Sequence, residues 1–120
     1  MARESKRSAR VSDLIQRLIG SLLVTGGIKD PRLDMVTITG VKVSSDLSYA
    51  DVYYTVHGGD ERRAEVKQGF DAARGFLRSH LRQATDLRQV PDLRFHYDVS
   101  LDEGEKIERL LREVRDSEEG

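Results

Sequence analysis

Basic side chains recur at helical spacing in the second half of the chain, and their chemistry is that of phosphate neutralisation. At spacings of seven, four and four residues they are Lys67, Arg74, Arg78 and Arg82. This spacing places them on one side of a helix. Cationic groups that neutralise phosphates release counterions, which favours nucleic-acid binding with little sequence preference. An ordinary ionic surface, in which Arg74 and its neighbours pair with Glu65 and Asp71, is an equally open interpretation.

Further basic residues extend this candidate set. They are Arg7, Arg10 and Arg17 near the start of the chain, Lys29 and Arg32 around Pro31, and Arg88 beyond the long helical segment. Residues 1–100 carry a net charge of +3 and residues 101–120 a net charge of −4, which gives the chain its formal −1. A basic body with an acidic tail can bind a polyanion on one face. On charge alone, however, solubility is the simpler explanation.

Residues that would support catalysis, a metal or a cofactor are missing from the sequence. His57, His80 and His96 do not form an HExxH pair, and no cysteine is available for a zinc site or a disulfide. No phosphate-cradling glycine motif and no nucleophile elbow occur. We therefore expect no enzymatic activity, no cofactor and no metal. A small hydrolase or nuclease is the least supported alternative.

The composition also bounds the compartment. No apolar run is long enough to span a membrane, and the charged first residues are not followed by the continuous apolar core of a signal peptide. The absence of cysteine suits a reducing cytosol. We expect a cytoplasmic protein without membrane contact.

Hydrophobic periodicity predicts one α+β domain in the order α-β-β-α-α-β. The first helix carries an apolar stripe at helical spacing: Val11, Leu14, Ile15, Leu18, Ile19, Leu22 and Leu23. Alternating residues over 35–44 and 50–57 predict a hairpin, with a β-bulge at Gly40 where the alternation changes phase. A third strand over 93–99 follows a helical crossover, so it should lie parallel to the second strand. The helices then cover one face of a three-stranded mixed sheet.

The long helical segment contains a glycine that interrupts it. Gly75 lies in the middle of residues 61–85, where glycine costs about 1 kcal/mol relative to alanine. We therefore expect a kinked helix, or a pair of helices, at Ala73 and Gly75. The predicted organisation is a flexible basic lead-in over residues 1–9, the domain over 10–100, and an acidic short helix with a disordered tail over 101–120.

A small sheet backed by helices, with basic residues at a broken helix pair, is how a KH module presents itself to RNA. The KH clamp is a GxxG loop, but the corresponding junction here reads Ala72-Ala73-Arg74-Gly75-Phe76. Several ordered segments resemble the bacterial ribosome-binding factor A family. They are Arg10-Val11, residues 28–33, 36–39 and 43–47, Ala50, Val52-Tyr53, Ala73-Arg74-Gly75, Leu77-Arg78, Leu87-Arg88, Pro91, Leu93, Phe95 and residues 98–100. Ala73-Arg74-Gly75 matches the family's Ala-x-Gly kink, which replaces GxxG.

The resemblance implies a type II KH-like fold and a factor for maturation of the small ribosomal subunit. Such a factor binds 16S rRNA of free 30S subunits or their precursors without catalysis. It assists processing of the rRNA 5′ end and late assembly, and it supports growth in the cold. The resemblance also implies a ribosome-dependent GTPase associated with release, and we expect a monomer. The alternative from another class is a protein-binding adapter that makes no direct RNA contact.

Overall fold

The computed structural model describes residues 6–58 and 60–119, and for residues 101–106 and 116–119 only the backbone. Its elements, in chain order, are α1 (Lys6–Thr25), a 3₁₀ turn (Pro31–Leu33), β1 (Val36–Val43), β2 (Tyr49–Val56), α2 (Arg62–Ala84), β3 (Asp92–Tyr97) and α3 (Ser100–Glu119). The α+β class is confirmed. None of the described helices combines the length and hydropathy needed to cross a bilayer.

The three strands form one mixed sheet in the order β1-β2-β3. β1 and β2 pair antiparallel, and their register shifts between Ile38 and Gly40, so the predicted hairpin and bulge are confirmed. β2 and β3 pair parallel, as expected for strands joined by a helical crossover. β3 is therefore an edge strand that follows directly on α2.

The core lies between one face of this sheet and the helices α1 and α2. Ile15 and Ile19 of α1 are fully buried, as the apolar stripe predicted. On α2, the ring of Phe70 stacks on that of Phe95 of β3 at a centroid distance of 4.6 Å and contacts Tyr54 of β2 at 4.9 Å. Burial of these large side chains fixes α2 across β2 and β3.

Of the two alternatives expected at Gly75, a kinked helix or a pair of helices, the pair is wrong, because α2 is a single helix. Residues 62–84 are continuously helical through Ala73 and Gly75. Phe70 before the glycine and Leu77 and Leu81 after it are all buried on the same side. Their burial is worth several times the propensity cost of about 1 kcal/mol for one glycine, so packing decides the outcome.

Both ends of the chain are more helical than the sequence indicated. α1 begins at Lys6, within the predicted lead-in, because Ser8 is buried and its carbonyl accepts a 2.8 Å hydrogen bond from Ser12 Oγ. Residues 1–5 of the lead-in lie outside the described residues. α3 continues to Glu119 instead of forming a short helix and a disordered tail. Its composition of strong helix formers and the Glu108–Arg112 pair, 3.8 Å apart, account for the greater length.

Candidate nucleic-acid interface

The α2 basic face, defined as Lys67, Arg74, Arg78 and Arg82, lies along the edge strand β3. Lys67 Nζ donates to the Phe95 carbonyl at 2.7 Å, and Arg78 Nη2 donates to the Val90 carbonyl at 3.1 Å. The Arg74 guanidinium carbon is 5.9 Å from the centre of the Phe95 ring. The four basic side chains therefore lie on one side of α2, as their spacing predicted. Contacts with β3 and with the connector that precedes β3 set the direction of Lys67, Arg74 and Arg78.

Two carboxylates lie within this face and reduce its charge. Asp71 Oδ1 is 2.8 Å from Arg74 Nη2 and 3.9 Å from Lys67 Nζ. Asp92 Oδ1 is 3.4 Å from Arg78 Nη1. The ionic-surface interpretation is therefore right about Asp71, although Glu65 is not the partner of Arg74. Arg82 and Arg88 are exposed and form no ion pair with any described residue, so they present full positive charge.

A groove of about 350 Å³ lies between α2 and the loop that follows α1, and none of the four residues of the α2 basic face lines it. The loop contributes residues 27–30, and α2 contributes Ala72, Ala73 and Phe76. The groove brings together Lys29 and Ala73, which are far apart in sequence. The Lys29 side chain is exposed, and no described carboxylate pairs with it. We call this feature the loop groove. It is the concave part of the candidate interface.

Phe76 is the interface residue that sequence reasoning missed. Its side chain is 51% exposed although it is large and apolar, and its ring stacks on His80 at a centroid distance of 6.3 Å. The signal was present, because Phe76 lies outside the helical stripe that contains Phe70, Leu77 and Leu81. An exposed aromatic ring in a groove that also contains Lys29 is a surface on which an RNA base can stack.

The two glycines of α2 have different roles. A Cβ at Gly69 would lie 3.0 Å from Leu33 Cδ2 and 3.1 Å from Arg32 Cβ, so this glycine allows the 3₁₀ turn to pack on the helix. A Cβ at Gly75 would meet no atom within 4 Å. No packing contact therefore requires a glycine at position 75. Its bare backbone leaves open surface on α2.

Arg32 is held by its own turn. Its Nε and Nη2 donate to the two carboxylate oxygens of Asp30 at 3.0 and 2.8 Å, and its backbone N–H donates to Asp30 Oδ1 at 3.0 Å. The side-chain and backbone hydrogen bonds from Arg32 lower the pKa of Asp30, and the bond to Asp30 raises the pKa of Arg32. This clamp orders the turn that packs on Gly69. In the loop, Lys29 is thus the better candidate for a phosphate contact.

The basic residues of α1 form a separate group. Arg7, Arg10 and Arg17 are exposed on this helix. Arg17 lines a second groove with residues of α1 and the beginning of β1. Because α1 packs on β1 and α2 packs on β3, at the two ends of the sheet, the structure divides the predicted set into two surfaces. Among the described residues, no group of His, Cys, Asp and Glu side chains is arranged to hold a metal ion.

Comparisons with known proteins agree with this architecture. The family model described as ribosome-binding factor A matches residues 7–111. The ribosome-binding factor A of Geotalea uraniireducens is 47% identical over 114 residues, which cover 95% of this chain and 93% of the relative. The crystal structure of ribosome-binding factor A from Thermus thermophilus superposes with a TM-score of 0.64 at 23% identity, covering 75% of this chain and 94% of the other.

A third similarity is to a homology model of the Thermus thermophilus factor that was fitted into the cryo-EM map of a 30S complex. Its TM-score is 0.60 at 23% identity, and the match covers 73% of this chain and 91% of the other. The family match extends over most of the chain, through α1, the sheet, α2 and the beginning of α3. The chain belongs to the ribosome-binding factor A family.

Proposed function

We propose that this protein binds the small ribosomal subunit through 16S rRNA and assists its late maturation without catalysing a reaction. The observation that carries the proposal is that exposed cations and an exposed aromatic ring occur together on α2 and the loop after α1, with Lys29 and Phe76 lining one groove and the α2 basic face on the other flank of the helix, in a chain of this family. The 30S complex into which the Thermus thermophilus relative was fitted supports the small subunit as the target. Free 30S subunits or their precursors are the form that such a factor meets before maturation ends.

Phosphate neutralisation supplies the affinity. Arg82 and Lys29 form no ion pair with a described residue, whereas Arg74 and Arg78 pair with Asp71 and Asp92. An arginine has five N–H donors, so Arg78 keeps donors for a phosphate after binding the Val90 carbonyl and Asp92. Lys67 has three, and it uses one on Phe95. Arginines should therefore contribute more to phosphate binding than Lys67.

The loop groove supplies the shape selection. A base can stack on the exposed ring of Phe76, and the missing side chain at Gly75 allows a sugar-phosphate backbone to approach the helix. The protein would favour the rRNA arrangement that fits this groove, because it can shift an equilibrium only by binding one state more tightly than another. Assistance with processing of the 5′ end would follow from holding that arrangement.

Co-sedimentation with purified small subunits tests the proposal. Lys29→Glu combined with Arg82→Glu should weaken binding without unfolding the protein, because both side chains are exposed and form no described ion pair. The matched control is Arg109→Glu on α3, an exposed arginine outside the interface. Binding of the wild type should also fall steeply as salt concentration rises. Equal binding of the double variant and the control would refute the assignment of this face.

A protein-binding adapter remains the second candidate, and α3 is the observation that favours it. Ile107, Leu110, Leu111 and Val114 form an apolar stripe on α3, and each is between 56% and 60% exposed. Docking through apolar surface depends little on ionic strength, in contrast to phosphate contacts. A nearly flat salt dependence of subunit binding would therefore favour the adapter over the rRNA-binding factor.

We further infer that the protein acts as a monomer in the cytoplasm and that a ribosome-dependent GTPase promotes its release. Membership of the family supports these inferences. Release can be measured by adding a candidate GTPase with GTP, or with a non-hydrolysable analogue, to the complex with small subunits. Sedimentation velocity at several protein concentrations tests the monomeric state.

A further inference from the structure

The outer face of the sheet, which points away from α1 and α2, carries an ordered cluster with no part in the interface described above. Along β2 and β3 the outward residues pair by register as Tyr49 with Asp92, Asp51 with Arg94, and Tyr53 with His96. Their inward neighbours Ala50, Val52, Leu93 and Phe95 are buried in the core. Because adjacent residues of a strand point to opposite faces, these three pairs share the outer face.

Asp51 fastens the cluster together. Arg94 Nε and Nη2 donate to the two carboxylate oxygens of Asp51 at 2.9 and 3.2 Å, and His96 Nε2 lies 2.8 Å from Asp51 Oδ1. The Asp51 side chain is only 25% exposed, whereas those of Arg94 and His96 are 51% and 44% exposed. A ligand approaching this face therefore meets the basic groups before the carboxylate.

The same contacts orient planar groups, one guanidinium and several rings, toward solvent. The Arg94 guanidinium carbon is 4.4 Å from the centre of the Tyr49 ring, and the rings of Tyr53 and His96 are 5.3 Å apart with an angle of 32° between their planes. Bidentate pairing and ring contacts immobilise these groups before any ligand arrives. We define Tyr49, Tyr53, Arg94 and His96 as the outer-face platform.

Gly40 leaves a gap beside this platform. It pairs with Tyr53 across the β1–β2 ladder, and a Cβ placed on it would meet nothing within 4 Å. The Tyr53 ring is in contact with His96 of β3 on its other side, so it does not cover the glycine. The flank of Tyr53 over Gly40 is therefore open, and the exposed Lys42 lies two residues farther along β1.

From this geometry we propose that the outer-face platform binds single-stranded RNA by stacking its bases on Tyr53 and on the Arg94–Tyr49 pair. Aromatic rings and guanidinium planes on an open sheet are surfaces on which unpaired bases stack, and the exposed Lys42 supplies positive charge for the backbone. A protein partner is disfavoured, because the β1 residues that pair with the outward side of β2 are Thr37, Gly40 and Lys42, none of which has a large apolar side chain. The protein thus has a second RNA-binding surface, on the side opposite the helices.

The distance along β2 suits a short stretch of RNA. Tyr49 and Tyr53 are four residues apart, which is about 13 Å at the rise of an antiparallel or parallel strand. Sheet-based RNA-binding modules stack two or three bases over a comparable platform. The platform would hold an unpaired stretch of rRNA while the α2 basic face contacts folded RNA. It rests on the geometry of the outer face and does not require the α2 face to be correctly assigned.

The test uses the full chain and a short fluorescein-labelled oligouridylate, with binding followed by fluorescence anisotropy. Two substitutions address the platform separately: Tyr53→Leu removes a stacking ring, and Gly40→Thr fills the gap with a residue that suits a strand. The loss of one stacked base should weaken binding roughly fivefold to 100-fold. Gly40→Thr should weaken binding while leaving the melting temperature unchanged or raised, because its backbone does not require glycine.

Two further variants make the outcome decisive. Arg109→Gln on α3 removes a positive charge from a remote surface and is the matched control, whereas Arg82→Gln measures any share of the binding that the α2 basic face takes. The proposal predicts that Arg109→Gln changes oligouridylate affinity by no more than about twofold, and that Arg82→Gln weakens it less than either platform variant does. Absence of wild-type binding, unchanged binding by both platform variants, or a loss caused mainly by Arg82→Gln would each overturn it. Since the α2 face is tested with small subunits and the platform with a free oligonucleotide, either assignment can fail while the other stands.

Discussion

Replacing Gly69 and Gly75 by alanine, one at a time, tests whether packing requires glycine at position 69 but not at position 75. At Gly69 the new methyl group would lie 3.0 Å from Leu33 Cδ2 and 3.2 Å from Leu33 Cγ. Leu33 is 4% exposed, so its side chain has little room to move. Overpacking of this kind costs about 1–3 kcal/mol, and the helix propensity of alanine returns about 1 kcal/mol. We expect a net loss of up to about 2 kcal/mol in the free energy of unfolding.

At Gly75 only the propensity acts, because a Cβ there meets nothing within 4 Å. Alanine should therefore stabilise the protein by about 0.5–1 kcal/mol. For a domain of this size, 1 kcal/mol corresponds to roughly 3–6 °C in melting temperature. Thermal unfolding followed by circular dichroism should place Gly75→Ala above the wild type and Gly69→Ala below it.

The same pair of variants separates folding from binding. If the bare backbone at Gly75 admits RNA, Gly75→Ala should be the more stable protein and the weaker binder of small subunits. Gly69→Ala should lose stability first and binding only as a consequence. A Gly75→Ala protein that melts below the wild type would refute the reasoning, because it would mean that α2 has a local conformation there that only glycine tolerates.

Three further predictions concern individual side chains. Ser12→Ala should destabilise the protein by about 1–3 kcal/mol in urea unfolding, because Ser12 Oγ accepts a 3.0 Å hydrogen bond from the buried Val43 N–H; Ser21→Ala on the exposed side of α1 is the control. Phe76→Ser should change the unfolding free energy by less than about 0.5 kcal/mol, as expected for an exposed position, but should weaken co-sedimentation with small subunits. Hydrogen bonds from the Ser100 and Thr39 side chains and the Ser100 backbone lower the pKa of Asp98, so the stability that Asp98 contributes is present above about pH 4 and is lost as the pH falls below it. The difference in unfolding free energy between wild type and Asp98→Asn should shrink over that acidic range, and a difference that stays constant would contradict this assignment.

The sequence was sufficient to predict the elements whose hydrophobic periodicity reflects the burial of one face. The α1 stripe containing Ile15 and Ile19 is buried as predicted, and the change of phase at Gly40 is a bulge. Both patterns depend on which residues are buried, and the order of apolar and polar residues within one segment is enough to predict that. The parallel pairing of β2 with β3 followed from the handedness and length of the crossover.

The features that the sequence could not predict depend on contacts between residues that are distant in the chain. The propensity of Gly75 favoured a break, but burial of Phe70 and Leu77 against the sheet keeps α2 continuous. The importance of Gly69 depends on Leu33, which lies 36 residues earlier and is brought to the helix by the turn. A glycine that relieves a close contact and a glycine that leaves open surface have the same appearance in a sequence.

The basic residues show the same limit for the candidate interface. Spacing along α2 correctly grouped Arg74, Arg78 and Arg82, but it did not reveal that Asp71 would neutralise the first of them. Nor did it reveal that Arg94 lies on the other face of the sheet and binds Asp51. Opposite charges on one helix can be counted from the sequence, whereas the face on which a strand residue meets its partner depends on register. The protein therefore has positive charge on two opposite surfaces, and RNA that contacts both has to pass around the free edge of β3, where Lys67 and Arg78 hold the carbonyls of Phe95 and Val90.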